Sequence, residues 1–325
     1  MPSRVSPDEV QPPLATTIHL SITLLLIASY IPQLLKLNTN GAEDISGWYM
    51  ILLTTSATAH LATRIRSVFT FDAWECFRHG HLKGFELFSA LVVYLQPLAH
   101  WIAAISLLAV FVLVRAQASQ PAPSNNHQAS GNSKEDSVLH QRGIAAASAT
   151  TTTTSPSNAT ILTIVLTHAV VTLPLAIHFL DLMTRTEDDD PTIIFFNVVY
   201  GTLLRFTGIS TSLTAAIPQI KLMVTRSRDA NGDNSNHGSG SLSLLTLGLQ
   251  VIAFIALGAS QGWRVSERQL PPPPEDCWSW DWWMRYVVVG GMAGSWGALA
   301  IGQLVVLCVI LGLGFGSVDE GQIRL

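Results

Sequence analysis

Charge is scarce in this chain. Only 12% of its 325 residues are Asp, Glu, Lys or Arg, about half the share found in soluble domains. The basic side chains do not outnumber the acidic ones: 18 Lys and Arg stand against 22 Asp and Glu, a net charge of −4. No basic stripe runs along any segment, which argues against a nucleic-acid partner. Cysteine is rare as well, and three residues cannot build a disulfide framework. The chain also lacks a glycine-rich phosphate loop, a serine nucleophile elbow and an HExxH metal motif. No acid, base and nucleophile cluster in its apolar segments, so neither an enzyme nor a cofactor is expected.

Long apolar runs take the place of these features. The chain is 48% hydrophobic, with a mean hydropathy of +0.36. Seven stretches approach the roughly 20 residues that cross a hydrocarbon core. They are Leu14–Leu35, Gly47–Arg64, Phe85–Val114, Thr160–Leu182, Tyr200–Leu222, Ser241–Gly262 and Trp283–Gly314. Three form one group and three another, with the fourth between them. Three crossings leave the chain on the opposite side of the membrane, and a fourth returns it. Two triplets of the same orientation therefore need a linker span, which gives a 3+1+3 all-α integral membrane protein.

The segments between the spans divide the chain further. Residues 1–13 and 316–325 are tails, 14–114 and 184–315 are the two three-helix bundles, and 159–183 is the linker helix. Residues 115–158 are rich in Ser, Ala, Asn and Thr. They hold too little apolar surface to offset their ordering entropy, so a disordered connector is expected. Asp229–Gly240 is a second flexible loop, and Pro271–Pro274 is a stiff spacer ahead of the last span. The first apolar run is too long for a signal-peptide core.

The two triplets carry matching sequence. Ile31-Pro32-Gln33-Leu34 returns 186 positions later as Ile217-Pro218-Gln219-Ile220, each copy near the end of an apolar run and followed by a Lys. Beyond the loop, Asp44-Ile45-Ser46 aligns with Ser241-Leu242-Ser243 at an offset of 197 (46 to 243). The second copy thus has about eleven extra loop residues, a small entropic cost. Internal repetition of this kind outweighs any single motif. A proline within a membrane helix removes a backbone hydrogen bond, so Pro32 and Pro218 mark bends or breaks. Gln33 and Gln219 are placed to satisfy the backbone groups so freed.

With these paired Pro-Gln segments the chain resembles the PQ-loop repeat family, which includes cystinosin-like lysosomal exporters and vacuolar amino-acid transporters. SWEET sugar carriers and KDEL receptors are more distant relatives. The resemblance implies two parallel three-helix bundles, an amino terminus facing the lumen or exterior, and Pro-Gln segments facing the cytosol. It implies a small-solute transporter of the amino-acid or sugar-like kind, in which Pro32, Gln33, Pro218 and Gln219 are hinges for alternating access. By the same analogy it implies a vacuolar, lysosome-like or Golgi membrane. A non-transporting receptor or trafficking adaptor is the alternative. One departure is plain: the seventh span contains no Asp, Glu, Lys or Arg, whereas cystinosin-like transporters carry proton-coupling acids in their second bundle.

Polar residues within the spans are the candidate solute path. Arg205, Gln96, Gln250, Gln303, Tyr200 and Asn197 form this set. The repeat offset maps Arg205 onto His19, near the outer end of the first span, where snorkelling to the headgroups is the alternative. His60, His100, His168 and His178 read as partners for neighbouring helices, and the glutamines have the same alternative as interhelical glue. Cys76 and Cys277 fall in equivalent outer loops and are a candidate disulfide. Cys76, His79 and His81 form a C-x2-H-x-H pattern without a fourth ligand, so no metal site is expected. Trp278, Trp280, Trp282 and Trp283 read as an interfacial belt. Basic residues divide almost evenly between the two sides, so charge does not orient the chain. Asn158-Ala159-Thr160 is a glycosylation sequon on the side assigned to the cytosol. The expected partners are the lipid bilayer, an unidentified small solute and a second copy of the chain.

Overall fold

Apolar runs in lipid must satisfy every backbone group internally, and helices do so within one segment. A computed structural model of the chain describes residues 13–43, 45–70, 84–119, 155–185, 191–232, 244–267 and 293–312. These residues form seven helices and, among them, no strand: α1 Pro13–Asn40, α2 Gly47–Thr70, α3 Phe85–Ala118, α4 Asn158–Arg185, α5 Pro191–Gly232, α6 Leu244–Glu267 and α7 Ala293–Gly312. Local chemistry sets several ends. Gly41 takes φ +86°, a left-handed conformation open to glycine, and its N–H caps Leu37 O at 3.2 Å to close α1. The Ser157 hydroxyl accepts the Thr160 N–H at 3.1 Å and opens α4.

Several boundaries differ from the sequence expectation: α1 runs past Leu35 to Asn40 and α6 past Gly262 to Glu267. Helix α2 continues past Arg64 to Thr70, α3 runs past Val114 to Ala118, and α5 extends over 42 residues instead of Tyr200–Leu222. In each case polar or charged residues that end an apolar run still support helix, because their hydrogen bonds remain within the backbone. The prolines do not break the helices. α1 continues from Pro32 to Asn40, and α5 from Pro218 to Gly232. Helices α3 and α4 likewise contain Pro97 and Pro174.

The packing is that of two equivalent triplets. In the first, α3 lies between α1 and α2. In the second, α7 touches both partners. A Cβ on Gly302 would stand 3.0 Å from Ser212 O on α5, and one on Gly258 of α6 would stand 3.5 Å from Ala293 O. Between triplets, α2 packs on α5 and α1 packs on α6. A twofold operation that carries α1 to α5 and α2 to α6 exchanges these two interfaces, as a parallel duplication requires. α4 lies mainly against α2, running the same way. Gly47 abuts Ile161 and Pro156 at one end, and Ala62 clusters with Ala176 further along.

Hydropathy and burial run in opposite senses. Five helices are long and apolar enough to cross a membrane: α1, α3, α4, α6 and α7. The two that are not, α2 and α5, pack extensively on each other. Helix α2 is enclosed by α3, α4 and α5, and nearly every described side chain from Leu53 to Arg66 is buried. It tolerates its hydroxyls because they bond back along the helix: Thr54, Thr58 and Thr63 donate to Met50 O, Thr54 O and Ala59 O at 2.8–2.9 Å. Outward faces are apolar instead. Leu24, Ile27 and Leu35 of α1, Val170 and Val171 of α4 and Leu203 and Phe206 of α5 are exposed, far more apolar surface than a water-facing protein presents. The chain is an integral, multi-pass membrane protein.

The close approach at Gly302 generates a first prediction. Gly302→Leu would force α7 away from α5, at a cost of about 1–3 kcal/mol. The purified variant should show a lowered melting midpoint in detergent, and an unchanged midpoint would contradict the α5–α7 contact.

Candidate functional site: a cationic cavity between the bundles

The α2–α5 interface is built from small residues that let two backbones approach. On α5 the inward face reads Gly201, Leu204, Arg205, Gly208, Ser212, Ala215 and Gln219, a helical spacing of three and four. On α2 the facing residues are Ser56, His60 and Arg66. The Ser212 and Ser56 hydroxyls both reach Gly208 O, at 2.6 and 3.2 Å, and share a hydrogen bond with each other at 2.5 Å. Gly208 leaves room for His60, whose Cδ2 would lie 2.9 Å from a Cβ built there. Gly201 does the same for Arg66, whose guanidinium occupies the place of a side chain at that position.

A small cavity opens along this seam. It is lined by His60, Thr63, Arg64, Pro97, Arg205, Ser295 and Trp296, drawn from α2, α3, α5 and α7. Its free space is about 10 Å³, room for about one water molecule. Arg64 and Arg66 are buried, and Arg205 is half-buried. Arg205 Nε and both ring nitrogens of His60 are buried without a hydrogen-bond partner among the described residues. Arg64 lies about 26 Å along α2 from Gly47, at 1.5 Å per residue. The cavity therefore belongs to the half of the protein remote from the Pro-Gln segments.

The repeat places a second polar group opposite. Gln96 Nε2 reaches His19 Nδ1 at 3.2 Å and His19 O at 3.3 Å, while Gln261 donates to Gln96 Oε1 at 3.4 Å. This network joins α1, α3 and α6. The offset of 186 carries His19 to Arg205, and the offset of 197 carries Arg64 to Gln261. Two equivalent positions thus hold a neutral pair in one interface and two arginines in the other. Between them lies an aromatic layer. Trp296 stacks on Phe254 at 5.9 Å and meets His60 and His100 edge-on at 5.2 and 5.5 Å. Tyr30 Oη and His100 Nδ1 share a hydrogen bond at 2.9 Å.

The Pro-Gln end is closed by polar ties across the bundles. Gln219 is fully buried, and its Oε1 accepts the Ser46 N–H at the start of α2 at 2.9 Å. Its oxygen thus caps the first helix turn of the opposite bundle. Gln303 donates to Tyr49 Oη at 3.0 Å, linking α7 to α2.

Of the residues singled out from sequence, Arg205 lines the cavity. Gln96 belongs to the neutral network, Gln303 to the closed end, and Gln250 is buried on α6. Tyr200 lies away from the cavity lining and ties α5 to α4 by donating to Thr172 O at 2.8 Å. Pro32 and Pro218 are continuous with their helices, and Gln33 is buried. The Asn197 side chain, Cys76, Cys277, His79, His81, the tryptophans at 278–283, the polyproline spacer and most of the 115–158 connector lie outside the described residues. Asn158 turns toward α3, where Nδ2, the atom a glycan would need, meets Val112 O at 3.4 Å. Sequence reasoning missed Arg64 and Arg66 as interior residues. The signal was their position two apart just where the apolar run ends, opposite a glycine in the other bundle.

The closed end yields a second prediction. Gln219→Leu leaves the Ser46 N–H without its acceptor at a cost of about 1 kcal/mol. Faster hydrogen exchange at Ser46 and the start of α2, with exchange in α4 unaltered, is the expected readout.

The chain matches no family model, no curated protein sequence and no solved structure.

Proposed function

We propose that the chain is a small-solute carrier of the PQ-loop repeat kind, operating by alternating access in an endomembrane such as the vacuolar, lysosome-like or Golgi membrane. The observation that carries this reading is a buried polar cavity at the seam of two equivalent three-helix bundles. Duplicated transporters bind at such seams and open alternately to each side as one bundle rocks against the other. The cavity is closed toward the Pro-Gln end by Gln219–Ser46, Ser56–Ser212 and Gln303–Tyr49, a short series of polar ties. Such ties can part without exposing a large apolar surface.

Pro32 and Pro218 lie at equivalent depths in α1 and α5, the helices that meet α6 and α2 across the seam. Each removes one helical hydrogen bond, to Ala28 O and Thr214 O, in a helix that otherwise continues. A missing hydrogen bond lowers the cost of bending the helix at that point. The solute is small and polar, of amino-acid or sugar size.

Reconstitution into sealed liposomes at two pH values tests the reading, since a carrier accumulates a labelled solute whereas a receptor does not. The double variant Pro32→Ala, Pro218→Ala should express and fold but transport several-fold more slowly, because each restored hydrogen bond stiffens a helix by about 1 kcal/mol. Undiminished uptake by the folded double variant would remove the hinges from the mechanism.

A further inference from the structure

We propose that the cavity between Arg64 and Arg205 binds an oxyanion, the carboxylate or phosphate group of a small organic solute, held between the two guanidinium groups. As a statement about transported cargo, this rests on the carrier reading above; as a statement about binding, it does not.

The first support is the broken symmetry of the repeat. The twofold partners of Arg205 and Arg64 are His19 and Gln261, which Gln96 joins through hydrogen bonds. Neutral polar residues therefore suffice to glue this interface at this depth. Arginine does the same work at far greater desolvation cost. Two of them lining one cavity repel as well. An anion between them offsets both terms.

The lining supplies the second support. Among the described residues it contains cations and neutral donors and no carboxylate. Planar guanidinium groups match carboxylate and phosphate oxygens through paired N–H donors. His60 is 6% exposed, lines the cavity, and has both ring nitrogens unpartnered. Even as a neutral imidazole it carries one N–H donor. The Thr63 hydroxyl is already committed to Ala59 O at 2.8 Å, so it does not compete for the anion. Pro97 and the Trp296 ring form an apolar wall for a short carbon stem.

The same features exclude other cargo. A cation without a carboxylate meets like charge, and a neutral sugar offers the guanidinium groups no opposite charge. With space for about one water, the cavity must widen to admit an anion, and parting of the bundles supplies that room.

The test uses the full-length chain in two assays. Equilibrium binding is followed by tryptophan fluorescence and melting midpoint in detergent, with succinate, citrate and inorganic phosphate as probes and cadaverine, a cation with no carboxylate, and glucose as controls. Uptake of the same compounds is measured in sealed liposomes. The wild type should bind at least one anion, more weakly as salt rises, and succinate against phosphate separates carboxylate from phosphate recognition. Arg205→Gln should weaken that binding roughly ten- to hundredfold, with Arg205→Lys intermediate. Should Arg205→Gln fail to fold, Ser295→Asp decides the matter. It sets a carboxylate at the cavity wall, which should keep the fold and abolish anion binding. Anion binding without uptake would sustain the inference and overturn the carrier reading. Transport of cadaverine or glucose with no anion bound would overturn the inference and leave the carrier reading intact. Equal anion binding by wild type and the folded Arg205→Gln or Ser295→Asp variant would also overturn it.

Discussion

Everything in this protein is arranged around the burial of α2 against α5. These two helices are the least suited to lipid, carrying arginines, histidine and runs of Thr and Ser. They are stable in a membrane because each hides the other. Glycines at 201 and 208 bring the backbones together around Arg66 and His60, and serine hydroxyls close the seam where the side chains are smallest. The more apolar α1, α3, α4, α6 and α7 present the exposed surface. A polar helix at the centre requires this ring, since an uncompensated polar group in hydrocarbon costs several kcal/mol.

Duplication explains the frame but not the chemistry placed in it. The helices repeat, their contacts exchange under the twofold, and the prolines fall at the same depth. Within that frame the two interfaces have diverged, one to a His–Gln–Gln network and one to an arginine-lined cavity. Shared backbone geometry limits which positions can face the seam. Which residue types stand there sets the charge offered to a solute, and that differs between halves.

Much of the frame was legible in the amino-acid order. The number of helices, the 3+1+3 grouping and the pairing of Pro32 with Pro218 follow from apolar run length and repetition, because lipid imposes a length on anything that crosses it. The candidate site was legible only in part. Arg205 stood out as a charge within an apolar run. Arg64 and Arg66 did not, because they stand where hydropathy falls and so look like the end of a span. Gly201, which makes room for Arg66, lies in the other bundle, and nothing local to Arg66 announces it. The hydrogen bond from Tyr200 to Thr172 O on α4 was not legible either, since its direction depends on where that helix packs.

The chain order alone established the membrane class, the helix count and the duplication, each a matter of composition or period. It could not establish which polar side chains meet. Lipid tails are as apolar as a helix interface, so hydropathy does not reveal the face that turns inward. Only packing across long separations decided that Gln219 would cap Ser46, 173 positions away. The same packing gathered Arg64 and Arg205 beside His60 at one cavity, because two distant helices must be in place before their charges share a site.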